Sequence, residues 1–190
     1  MEYNQVTPEV VAALQQIVGE KYVWTERDKR IPCGQDEGTG QPCLPDVVVL
    51  PATTEELAAV VRLANDVVIP LIPRGTGTGL EGGAVADSRG GIMVSTERMD
   101  RILEINEDAM YMTVEAGVRT IDIQNAAREK GLLYAGDPCS SDSCLIGGNL
   151  ATNAGGNKAV RYGTTRHQVY SIEAVLPTGK IVNLGATLKK

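Results

Sequence analysis

Two glycine-rich segments hold most of the residues in this chain that could meet a ligand. The first, Pro73-Arg-Gly-Thr-Gly-Thr-Gly-Leu-Glu-Gly-Gly-Ala84, sets Arg74 beside Gly75, Thr76, Gly77, Thr78 and Gly79 and closes on Gly83 and Ala84. Glycine weakens regular structure and lets backbone turn tightly or lie against something flat or anionic. Successive backbone N–H groups in such a loop form a nest for an anion. The hydroxyls of Thr76 and Thr78 add donors, while Arg74 either lends positive charge or fixes the loop. Seven glycines between positions 75 and 91 are more than a turn without a ligand requires. The second segment, Gly136–Gly156, carries Pro138, Ser140, Ser141, Asp142, Ser143, Asn149, Thr152 and Asn153. Its serines, threonine and asparagines are neutral donors and acceptors suited to phosphate oxygens or the edge of a heterocycle. Gly147-Gly148 and Gly155-Gly156 let backbone approach a planar ring. Alone, this segment also reads as two capped turns around a short helix; with the first, it points to one large cofactor held at two places.

The elements that must position these loops follow from periodicity and capping. Thr7-Pro8-Glu9 opens a helix to about Val18, with a hydroxyl cap, proline at the first position and an acid in the first turn. Residues 24–45 are polar, interrupted by Cys, Gly and Pro, and read as a connecting arm. Asp46–Leu50 is a short buried strand. Thr53-Thr-Glu-Glu56 is a capping box for a helix over 55–65, with Leu57, Val60, Val61 and Ala64 on one face. Val67–Ile72 is the next strand, parallel to the first, and delivers the first glycine loop. Strands over 91–95 and 111–115 enclose the acidic stretch 97–108. Thr120 caps a helix over 121–130 that Gly131 stops. Pro177-Thr-Gly179 turns a hairpin between 169–176 and 180–184. The expected fold is therefore α/β (α+β): a small parallel β-α-β lobe, then antiparallel sheet with helices. The division is an arm over 1–44, a first lobe over 45–108 and a second over 109–190.

Composition excludes several classes. A formal charge of −6 and no basic run argue against a nucleic-acid partner. No apolar stretch is long enough to span a membrane and the start of the chain lacks signal-peptide character, so a cytoplasmic protein is expected. With no Phe and one Trp, aliphatic residues must fill the core. Four cysteines without zinc-knuckle spacing read as free thiols, and no metal site is expected. Gly77-Thr-Gly79-Leu-Glu-Gly82 fits G-x-G-x-x-G, the nicotinamide dinucleotide fingerprint, but that motif needs a helix opening at its third glycine. Glycines returning at 90 and 91 leave little room for one.

The order of Pro73–Ala84, Asp137–Gly156 and Arg161-Tyr-Gly-Thr-Thr-Arg-His-Gln-Val169 resembles the FAD-binding domain of the vanillyl-alcohol oxidase / p-cresol methylhydroxylase superfamily. Within it, the likeness is to the branch of D-lactate dehydrogenase and the GlcD-type glycolate oxidase. The resemblance covers roughly residues 40–190. It implies two α/β lobes around an extended FAD. By position, Arg74, Gly75–Gly79, Gly83 and Ala84 would cradle the pyrophosphate. Pro138, Ser141, Asp142, Ser143, Gly147, Gly148 and Asn153 would line the ribityl and isoalloxazine region. Several relatives tether FAD through a histidine in the first loop; none lies between Pro73 and Ala84, so non-covalent FAD is implied. His167, the single histidine, reads as structural or flavin-adjacent, and the spacing of Cys144 disfavours a thioether.

Relatives continue past a segment like Leu188-Lys-Lys190 into a completing strand and a cap domain that binds the 2-hydroxy acid. No catalytic residue is therefore assigned within this chain, which alone is expected to be inactive. The implied partners are a 2-hydroxy acid, reached through the cap, and an electron-transferring flavoprotein, iron–sulfur subunit or quinone as acceptor. An incomplete sheet would leave an open edge that favours poor stability or self-association. A non-catalytic flavin-binding fragment needing another chain is the alternative.

Overall fold

The computed structural model describes residues 3–186; the Leu188–Lys190 segment lies outside them. The chain forms two compact units: one runs to Arg98 and takes in Ala174–Val182, the other comprises Met99–Glu173 and the residues from Asn183.

The first unit is built on a four-stranded sheet. α1 (Pro8–Val18) starts as its sequence dictates, with the Thr7 hydroxyl accepting from the Val10 N–H and Pro8 in the first turn. Its strands are β1 (Val23–Trp24), β2 (Val47–Val49), β3 (Leu71–Arg74) and β4 (Ile92–Ser95), in the order β1-β2-β4-β3. β2 and β3 both run parallel to β4, which lies between them, and β1 is antiparallel to β2. Period-two alternation divides the core. Val47, Val49, Ile92 and Val94 pack with Val10, Leu14 and Val18 of α1 and with Val60 and Ala64 of α3 (Thr54–Asp66). Val48, Leu50 and Met93 gather instead with Cys33 of the arm.

Three local readings change. At the start of α3 the Thr53 hydroxyl accepts from the Glu56 N–H at 3.1 Å, but the Glu56 carboxylate takes the N–H of Ala52 at 2.7 Å rather than that of Thr53. β3 begins at Leu71, not Val67, because the chain first turns through Val68 at φ 54° and then meets Pro70. The arm is not featureless: it holds β1, α2 (Arg27–Arg30) and a tight turn over Ile31–Gly34.

In the second unit, β5 (Ile102–Asn106) and β6 (Tyr111–Val114) form an antiparallel pair, so the acidic stretch conceals a strand. α4 (Thr120–Glu129) ends before Gly131, whose φ is 69°. Thr120 does not cap it: Arg119 is the flanking residue, without a side-chain cap, and Thr120 is fully buried. α5 (Ile146–Thr152) and α6 (Ala159–Tyr162) follow. The last hairpin pairs β7 (Ser171–Val175) with β8 (Ile181–Gly185) across the expected turn, where Leu176 N–H donates to Lys180 O at 2.9 Å. The hairpin tip docks on α3, with Arg62 Nη1 donating to Gly179 O at 2.9 Å and Asn65 to Pro177 O.

Candidate functional site: two glycine loops

The first loop leaves β3 at Arg74, and Arg74 organises it. The side chain is 7% exposed. Its Nη1 donates to Ala84 O at 2.8 Å, and its Nη2 to Gln35 O at 3.0 Å and Pro32 O at 3.1 Å, with Thr76 O at 3.5 Å. The guanidinium thus ties the two ends of the loop to each other and to the arm. Of the two roles open to Arg74 in the sequence, these contacts carry the loop-fixing one. Gly77 makes that approach feasible: it sits at φ 80°, and a Cβ there would overlap the guanidinium.

The other loop residues present a donor surface. Among the described residues, the N–H groups of Gly77, Thr78 and Gly79 have no hydrogen-bond acceptor. Gly79, Gly82 and Gly83 have open space where a Cβ would stand. Unpaired donors beside space kept clear by absent side chains fit a diphosphate. After Gly82 the chain turns through 83–91 directly into β4, so the helix required by the nicotinamide fingerprint is absent.

The second loop is held from beneath by a buried polar cluster. Asn149 Nδ2 donates to Thr120 Oγ1 at 2.6 Å, and Thr120 Oγ1 lies 3.2 Å from Cys144 Sγ and 3.4 Å from Cys144 O. Gln124 Nε2 donates to Gly136 O at 2.6 Å, and Lys158 pairs with Asp137 at 3.0 Å. That lysine, with help from Gln124, holds the Asp137 carboxyl below the usual range. A Cβ on Gly156 would overlap Asp137 O, so this glycine permits close backbone packing.

Within this frame the expected site residues separate. Pro138 is buried and its carbonyl accepts from Ser141 N–H at 2.9 Å. Ser141 O in turn receives the Ile121 N–H at 2.8 Å. Asp142 and Ser143 are exposed and joined at 3.2 Å. Gly147 packs on Ala116, whose Cβ would stand 2.9 Å from a Cβ at 147, whereas Gly148 faces open space. Asn153 is left-handed, φ 51°, and its Oδ1 accepts from Arg166 N–H at 3.1 Å. His167 caps its own turn, its Nδ1 accepting the Thr164 N–H at 3.1 Å. Residues 74–84 thus share one loop of the first unit, and residues 138–153 one region of the second.

Sequence reasoning missed Asp36, Thr120 and Tyr134. Tyr134 has a buried hydroxyl with no partner among the described residues, and burial, with Cys144 nearby, pushes its pKa up to about 12. Nothing in its local pattern signals an orphan donor.

A mixed α/β chain carrying two glycine loops, one of them lined with unpaired N–H donors, defines a nucleotide-cofactor domain. The family model described as FAD binding domain matches residues 45–185, and the chain belongs to that family. The D-lactate dehydrogenase of Anaerostipes hadrus is 40% identical over all of this chain and 39% of that protein. The glycolate oxidase subunit GlcD of Bacillus subtilis is 35% identical over 97% of the chain and 39% of that protein. The chain therefore spans about two-fifths of the length of these relatives. In fold it matches p-cresol methylhydroxylase with substrate bound, at TM-score 0.82 and 23% identity, covering 95% of this chain and 36% of the other. Among the described residues no helix is long and apolar enough to cross a membrane, and no group of three or more His, Cys, Asp or Glu is placed to hold a metal ion. The four cysteines are free.

Proposed function

We propose that this chain is the FAD-binding portion of an FAD-dependent oxidoreductase acting on a D-2-hydroxy acid, of the D-lactate or glycolate type. Family membership and the named activities of the relatives support the substrate class. The observation that carries the cofactor reading is the run of unpaired N–H groups at Gly77, Thr78 and Gly79 beside the open faces of Gly79, Gly82 and Gly83.

FAD, when bound, supplies the two-electron chemistry, accepting a hydride from the substrate α-carbon. The chain's own residues bind and orient. Gly75–Gly79 with Gly83 and Ala84 offer the pyrophosphate backbone donors, and Arg74 holds that loop in shape. Pro138, Ser141, Asp142, Ser143, Gly148 and Asn153 line the ribityl and isoalloxazine part, with Gly147 setting the packing beneath. In this reading residues 45–108 and 109–190 are the flavin-binding lobes, and FAD is held without a covalent bond in a cytoplasmic protein. The base for the substrate hydroxyl and the cation for its carboxylate come from outside this chain. The onward acceptor is an electron-transferring flavoprotein, an iron–sulfur subunit or a quinone.

The test is the visible absorbance of the purified chain before and after denaturation and removal of protein. A flavin spectrum that passes intact into the supernatant is expected. A colourless chain that takes up no added FAD overturns the reading.

A further inference from the structure

The first glycine loop is shaped by a stretch of chain outside the region matched by the FAD-binding model. Four contacts run between residues 32–38 and the loop. Arg74 reaches the carbonyls of Pro32 and Gln35. The Glu37 N–H donates to both Gly77 O, at 3.2 Å, and Gly79 O, at 3.0 Å. The Asp36 carboxylate accepts the Gly82 N–H on Oδ2 at 2.8 Å, while its Oδ1 accepts the Gly38 N–H at 3.0 Å. Gly38 packs so closely that a Cβ there would overlap Leu80 O. Every loop carbonyl bound in this way turns its own peptide unit, and so aims the N–H of the next residue.

We propose that residues 32–38 are a clamp that sets the donor geometry of the FAD pyrophosphate loop, with Asp36 as its positioning residue. The clamp rests on the reading of this loop as the pyrophosphate grip. Binding Gly77 O and Gly79 O at one N–H fixes the peptide units that carry the Thr78 and Leu80 N–H groups. Binding the Gly82 N–H at Asp36 withdraws that donor from the ligand and satisfies the carboxylate, leaving Gly77, Thr78 and Gly79 as the free donors. A carboxylate beside a diphosphate is tolerable only while its charge is met by such donors. Asp36 does not touch the cofactor; it acts through the loop.

The experiment uses the full chain in four forms: wild type, Asp36→Ala, Asp36→Asn and Gly38→Ala. Amide hydrogen exchange of the apo chain comes first, because it needs no FAD. Protection at Gly82 and Glu37 in wild type, lost at Gly82 in Asp36→Ala, is expected; an unprotected Gly82 amide in wild type overturns the clamp. FAD affinity and the phosphorus resonances of the bound pyrophosphate come second. Asp36→Ala and Gly38→Ala are expected to weaken FAD about tenfold, equivalent to about 1.4 kcal/mol, and to shift the phosphorus resonances. Asp36→Asn, which retains one acceptor oxygen, falls between Asp36→Ala and wild type. Unchanged affinity and unchanged phosphorus shifts in both alanine variants overturn the clamp while leaving the FAD reading intact. A wild-type chain with the expected exchange pattern but no FAD uptake overturns the FAD reading, and with it the clamp's role toward pyrophosphate.

Discussion

Replacing Arg74 by lysine separates the two roles that an arginine in a phosphate-binding loop can play. The change keeps the positive charge, so a residue acting through charge on the ligand should leave the apo chain as stable as before. The structure predicts otherwise. The guanidinium makes three hydrogen bonds of 2.8–3.1 Å to carbonyls of Ala84, Gln35 and Pro32 from a position 7% exposed. Among the described residues no carboxylate forms an ion pair with it, so these carbonyls are its compensation for burial. Hydrogen bonds to a charged group contribute about 1.5–3 kcal/mol each. An ammonium is a single compact donor head that cannot span carbonyls arranged for a planar fork. With one contact retained, the expected loss is about 3 kcal/mol, a fall in midpoint of about 6–12 °C for a chain of this size. Thermal unfolding of the apo chain, followed by circular dichroism, reads it directly. A wild-type midpoint combined with weakened FAD binding would refute the reasoning and return Arg74 to the ligand.

Three further outcomes follow from the second unit and the thiols. Thr120→Val removes the hydroxyl that receives Asn149 Nδ2 and lies beside Cys144; about 1–3 kcal/mol of stability should be lost in denaturant unfolding, with Thr120→Ser recovering most of it. Arg101 holds the Glu115 carboxyl below its usual range, through the guanidinium at 2.7 Å and the backbone N–H at 2.9 Å. A depressed carboxyl adds stability above its unfolded pKa of about 4.3, and that stability is lost as pH falls through the folded value. Denaturant midpoints measured from neutral to acid pH should therefore fall less steeply at the acid end in Glu115→Gln than in wild type. A thiol-reactive dye should label exposed Cys139 first, while buried Cys33, whose pKa burial pushes up, and buried Cys144 should react only on unfolding; rapid labelling of either buried thiol in the native chain counts against the packing described.

Much of the first unit was legible because its signals are local. The cap-proline-acid start of α1, the all-valine β2 and the Pro177-Thr-Gly179 turn each state their conformation within a few residues. β5 was hidden because Ile102 and Ile105 stand among Arg101, Glu104, Glu107 and Asp108, so no alternating apolar face marks it. Its structure comes from pairing with β6 and from the Tyr111–Glu104 hydrogen bond. Thr120 looked like a cap because a hydroxyl beside a helix start usually is one; burial turned it inward to Asn149. Gly147 and Gly148 look alike in sequence, yet one is required by packing on Ala116 and the other faces open space. The roles of Arg74 and of the arm depend on which carbonyls lie about forty residues away in the chain, information that neither periodicity nor composition carries.

Most of the contacts between the arm and the first loop are made by main-chain atoms: the oxygens of Pro32 and Gln35, and the nitrogen of Glu37. Main-chain atoms are indifferent to the side chain that follows them, so positions 32, 35 and 37 can drift in identity while the bonds persist. Removing one residue from the stretch, by contrast, shifts every atom out of register. A substitution scan and a deletion scan of this segment should therefore disagree, the first finding it permissive and the second intolerant. A stretch that contributes by its length and path rather than its letters leaves little trace in any comparison scored residue by residue.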